Sequence, residues 1–130
     1  MLGLVGRLLL CSVFLLSGVG KIMEQANGIP DQTNYLKSHL SFECPDEYLV
    51  YLVLLAAIAE IVGSLLLLLN NRSGAWILLA FLVVTTGLMH NFWDMTGPSY
   101  LVELVHFLKN LSIAGGLLVT LSHAPKYKRE

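Results

Sequence analysis

Charge is scarce in this chain. Its 130 residues carry eight Lys or Arg and nine Asp or Glu, 13% in all, where a soluble domain carries about 25%. With 55% hydrophobic residues and a mean hydropathy of +0.69, an ordinary soluble domain is excluded and an integral membrane protein is expected. A net charge of -1, with no basic run longer than the tail bearing Lys126, Lys128 and Arg129, excludes a nucleic-acid surface. Two cysteines, Cys11 in an apolar run and Cys44 in a polar stretch, form no ligand cluster and are expected as free thiols. No glycine-rich nucleotide loop is present, nor an extramembrane stretch large enough to hold a flavin.

What the chain does have is four long apolar runs. About 20 apolar residues cross the hydrocarbon core as helix, and residues 2–23, 49–69, 74–92 and 101–121 each supply such a stretch. The first has the look of a signal peptide, with Arg7 ahead of its apolar run, but it is read as a retained span. The expected fold is an all-α membrane domain: a four-helix bundle over residues 1–130, with a short interfacial helix between spans one and two. The Asn70-Asn71-Arg72-Ser73 link makes spans two and three antiparallel neighbours. In the loop 24–47, Pro30-Asp31 starts a short helix with Tyr35, Leu36, His39 and Leu40 on one side, suited to a membrane surface.

Arg72, Lys126, Lys128 and Arg129 share a side with the N-terminus, which predicts both termini on the cytoplasmic or matrix side. Tyr48, Tyr51, Trp93 and Tyr100 at one interface, and Trp76 and Tyr127 at the other, form an aromatic belt.

Against this apolar background, segment 101–121 carries Glu103, His106, Lys109 and Asn110. Ionisable residues in a span cost roughly 2.5 to 3.5 kcal/mol at the centre and usually face the bundle interior. Glu103, His106 and Asn110 stack on one helical face with Lys109 at its edge. His90 lies at similar depth in span three, with Asp94 one turn beyond and Lys21 bordering the layer. Glu60 sits mid-span in span two. Arg7, Lys21 and Glu60 are ion-pair candidates, and by helix rise Arg7 and Lys109 come within about 5 Å of the depth of Glu60.

These residues admit several readings. His90 and His106 could offer axial ligands to a haem. Glu103 and His106, with Glu60 or Asp94, could ligate a metal, although a carboxylate-bridged di-metal bundle needs two E-x-x-H pairs and this chain has one, so no metal is expected. A quinone pocket could use Glu60, His106 and Lys109 in an apolar slot. The remaining reading is structural, with Glu60, His90, Asp94, Glu103, His106, Lys109 and Asn110 forming a polar cluster that fixes helix register.

Four stretches in order resemble the DoxX family of small four-helix membrane proteins: Arg7-Leu8-Leu9-Leu10 through Ser17-Gly18-Val19-Gly20-Lys21; Ala59-Glu60-Ile61-Val62-Gly63; His90-Asn91-Phe92-Trp93; and His106-Phe107-Leu108-Lys109-Asn110-Leu111 with Ala114-Gly115-Gly116. Such a resemblance implies an electron-transfer membrane context, since members occur in an archaeal terminal quinol oxidase and thiosulfate:quinone oxidoreductase and beside bacterial oxidoreductases. The expectation is an accessory subunit of a respiratory or related complex in a bacterial plasma membrane or mitochondrial inner membrane. It would have no catalytic residues or cofactor of its own, and its partners would be the bilayer and neighbouring membrane subunits. A quinone-interacting oxidoreductase subunit and a membrane assembly factor are the alternatives.

Overall fold

A computed structural model describes residues 1–123 of the chain; Lys126, Tyr127, Lys128 and Arg129, used above for orientation, lie outside the described residues. The order is α1 (Leu2–Ala26), α2 (Asp31–His39), α3 (Asp46–Leu68), α4 (Arg72–Met89), a 3-10 turn (Phe92–Asp94) and α5 (Pro98–His123). Four of these helices are long and apolar enough to cross a membrane: α1, α3, α4 with its following turn, and α5. No strand occurs among the described residues.

Local chemistry sets the boundaries. At the end of α1, Gly28 takes φ +67°, and the amides of Gly28 and Ile29 return to the carbonyls of Gln25 and Glu24. This is a Schellman cap, and glycine adopts its left-handed residue without Cβ strain. Asn70 repeats it after α3 with φ 60°, its amide and that of Asn71 returning to Leu67 and Leu66. Helix α3 starts three residues earlier than expected, because Pro45 precedes it and Asp46 and Glu47 occupy its first turn, where the helix dipole favours negative charge. Helix α4 stops at Met89, so His90 is its C-cap and leaves the helix.

Asn71 caps α4, its Oδ1 accepting the Ser73 amide at 2.9 Å. Replacing Asn71 by alanine removes that acceptor and should cost about 0.5 to 2 kcal/mol, read as a lower midpoint in SDS titration of the reconstituted chain.

The spans form a ring in which α1 packs on α3, α3 on α4, α4 on α5 and α5 back on α1. Helices α1 and α4, and α3 and α5, therefore lie across the diagonals. Cys11, Phe14, Leu67, Ala75, Leu78, Leu82, Leu117 and Leu121 fill the centre. Side chains such as Leu9, Leu16, Leu55, Val83 and Leu111 point outward, a surface that water would penalise and hydrocarbon accepts. Helices α3 and α4 approach most closely near their shared turn, where Gly74 lies against the backbone of Gly63, Leu66 and Leu67.

Helix α2 packs on α3 and α4, and also on α1, at the far end from the termini. Leu36 joins Leu49 and Val53 there, with Leu40, Cys44 and Met89 beside them, and Lys37 Nζ bonds Asp46 Oδ1 at 2.7 Å. That bond holds the Lys37 amine above its ordinary range. Cys11 and Cys44 are free thiols.

Candidate polar site in the loop half of the bundle

Two buried carboxylates organise the site, one on α5 and one on α3. Glu103 is 6% exposed and gathers donors from two other elements. His90 Nδ1 donates to Oε2 at 2.8 Å, and the Tyr35 hydroxyl of α2 donates to Oε1 at 3.0 Å. His39 Nε2 stands 3.5 Å from the same Oε1. The other nitrogen of His39, Nδ1, lies 2.9 Å from the Tyr35 carbonyl; a carbonyl only accepts, so Nδ1 holds a proton in that contact. The Tyr35 ring lies 4.2 Å from the His39 ring between centroids.

Burial, then the bond to Glu103 and its negative charge, push the Tyr35 phenol up to about 12 from an ordinary value near 10. A raised value means that Tyr35 stabilises the fold fully below about pH 10 and loses that contribution as the pH rises toward 12. Absorbance titration at 295 nm should show a tyrosine step near pH 12, and Tyr35→Phe should remove that step.

Deeper on α5, Asn110 Nδ2 donates to Thr86 Oγ1 of α4 at 3.1 Å. That bond ties α4 to α5 below the Glu103 cluster. His106 stacks on His90 with centroids 5.2 Å apart and planes 23° apart. Ring nitrogens lie in the ring plane, so two stacked rings cannot both aim at an iron between them. This stacked arrangement does not fit axial haem ligation between the two rings.

The second carboxylate, Glu60, is 2% exposed. Lys21 Nζ meets its Oε2 at 2.8 Å and the Ser17 hydroxyl at 2.5 Å. The approach of Arg7 and Lys109 to Glu60, anticipated from depth, does not occur. Arg7 Nη1 donates to Asn70 Oδ1 at the α3–α4 turn, and Lys109 is exposed on α5, diagonal to α3. The reason lies in side-chain direction. Helical Cα–Cβ bonds tilt toward the N-terminus, so on antiparallel α1 and α3 the Lys21 chain leans back toward Glu60 while Glu60 leans forward to meet it. Gly18 allows this, because a Cβ there would lie 3.3 Å from that of Glu60 and 2.9 Å from Ile61.

The structure thus brings Glu103, His90 and His106 together and adds Tyr35 and His39. Asp94 stays outside, exposed and bonded from Asn91 at 3.2 Å; Lys109 also stays outside. Glu60, His106 and Lys109 do not converge on one pocket. Among the described residues, no group of three or more His, Cys, Asp or Glu is placed to hold a metal ion. The sequence places Tyr35 and His39 on a helix face suited to a membrane surface; in the structure both instead reach Glu103. Their i, i+4 spacing beside an acid-bearing span was the available signal.

Comparison with known proteins agrees with this architecture. The chain is 27% identical over 118 residues to the inner membrane protein YphA of Escherichia coli (strain K12), which covers 89% of this chain and 78% of that protein. No solved structure matches. The DoxX family profile matches residues 2–91, which takes in α1 to α4 with the Lys21–Glu60 pair and His90; the chain belongs to the DoxX family of membrane proteins.

Proposed function

We propose that this protein is an accessory, non-catalytic subunit of a respiratory or related electron-transfer complex, in which the polar face of α5 fastens the subunit's own helices. The observation that carries this reading is how the polar side chains are engaged. Glu103 holds Tyr35 and His90, Asn110 holds Thr86, and Lys21 holds Glu60, so each of these groups serves another element of the same bundle. In hydrocarbon an unsatisfied polar group costs several kcal/mol, and these bonds remove that cost while fixing register and depth. The outward apolar surface is then free to meet lipid and neighbouring subunits. We place both termini on the cytoplasmic or matrix side of a bacterial plasma membrane or mitochondrial inner membrane.

Gentle solubilisation of native membranes, followed by native electrophoresis and mass spectrometry, tests the proposal. Migration with oxidoreductase subunits at a fixed ratio is expected, and migration alone contradicts it. Association with immature assemblies, but absence from the finished complex, would instead make it an assembly factor.

A further inference from the structure

The α3–α4 pair is tight at its turn and open at its other end. Below the turn, Gly74 brings the two backbones into contact; toward the loop end they part around a crevice of about 510 Å³. Its walls include Leu55, Ala56, Ile77, Phe81, Val84 and Leu88, while Leu36 and Leu40 of α2, with Phe42, cover its loop end. The size lies within the range of small-molecule sites, about 300 to 1,000 Å³.

One charged side chain reaches this apolar space, that of Lys21. It is 15% exposed, and its Nζ lies 5.9 Å from the centre of the Phe81 ring. An ammonium has three donors; Ser17 and Glu60 accept two, which leaves one N–H for the crevice. Because Glu60 already balances the charge, an added anion would bring an uncompensated negative charge into hydrocarbon. The fitting acceptor is therefore uncharged.

Depth narrows the class further. Ser17, beside Nζ, lies nine residues before the end of α1, about 13 Å along the helix. The ester and headgroup of a phospholipid stay at the interface, and α2 covers the crevice on that side. A compound that reaches Lys21 must come sideways between α3 and α4, with its polar atom inside the hydrocarbon.

We propose that the crevice between α3 and α4 binds one uncharged lipophilic carbonyl compound, its tail along Leu55, Phe81 and Val84 and its oxygen accepting the free N–H of Lys21. This site is separate from the Glu103 cluster and does not depend on the accessory-subunit reading.

The test uses the full chain in nanodiscs with four photoreactive probes of equal chain length, each bearing a diazirine in its tail: a methyl ketone, an alkane, a fatty acid and a phosphatidylcholine. Labelled residues are mapped by mass spectrometry. A hydrogen bond from a charged donor gives about tenfold or more in affinity, so the ketone should label the crevice saturably, at about tenfold lower concentration than the alkane. The fatty acid and phosphatidylcholine should label it no better than the alkane. Ala80→Trp, which fills the crevice from an exposed position and leaves Lys21 and Glu60 in place, should abolish saturable labelling. Equal labelling by ketone and alkane, stronger labelling by fatty acid or phosphatidylcholine, or undiminished labelling of Ala80→Trp would each overturn the assignment.

Discussion

Replacing Lys21 by methionine should destabilise the folded chain by about 3 to 5 kcal/mol, the usual cost of removing one partner from a buried ion pair. The 2% exposure of Glu60 makes the loss large. Without the ammonium, its carboxylate retains Ser17 as a neighbour but no counter-charge, inside a bundle that hydrocarbon surrounds. Met approximates the lysine stem, so packing along Phe81 changes little and the effect isolates the charge. The double variant Lys21→Met with Glu60→Leu should recover most of the stability, since replacing a whole buried pair by apolar residues is often neutral or better. SDS titration of the two single variants and the double variant closes the cycle. If Lys21→Met melts like the parent, the pair is not a buried structural element.

The next largest effect is expected at Gly74. A Cβ there would fall inside the backbone of Gly63 and Leu67, and backbone cannot move aside as a flexible side chain can. Gly74→Val should therefore force α3 and α4 apart at their turn and cost about 3 kcal/mol, the upper end for overpacking. The displacement would also strain the Asn70 cap and its bond from Arg7. Gly115→Ala supplies the control, because nothing lies within 4 Å of a Cβ at that position. It should leave stability unchanged or raise it slightly, as alanine favours helix over glycine. Both variants can be compared by the same titration, and equal behaviour would refute the close approach.

Much of the architecture could be read before the structure because hydrocarbon imposes strong rules. Four apolar runs gave four spans within a few residues, and the Asn70-Asn71 link gave the α3–α4 hairpin. The shared layer of His90, His106 and Glu103 followed from helix rise alone. Rise did not reveal which cation meets Glu60. Depth at Cα favoured Arg7 and Lys109, whereas the lean of two antiparallel side chains and the gap left by Gly18 select Lys21. Tyr35 and His39 were hidden for another reason: nothing in the 24–47 loop fixes where α2 docks until Leu36 finds Leu49 and Val53. Asp94 was misplaced because α4 ends at Met89, and the 3-10 turn carries the carboxylate outward.

The most direct test of the account replaces Glu103 by glutamine in the native membrane and measures two quantities on the same preparation. One is the stability of the chain; the other is the electron-transfer rate of the complex that accompanies it, per copy of the chain. Glutamine keeps the size of the side chain but removes the charge that faces His90 and His39 and one acceptor of the Tyr35 and His90 bonds. The account predicts a lower SDS midpoint and fewer copies, with the rate per copy unchanged. Unchanged stability with a collapsed rate per copy would contradict it and make Glu103 a participant in the chemistry.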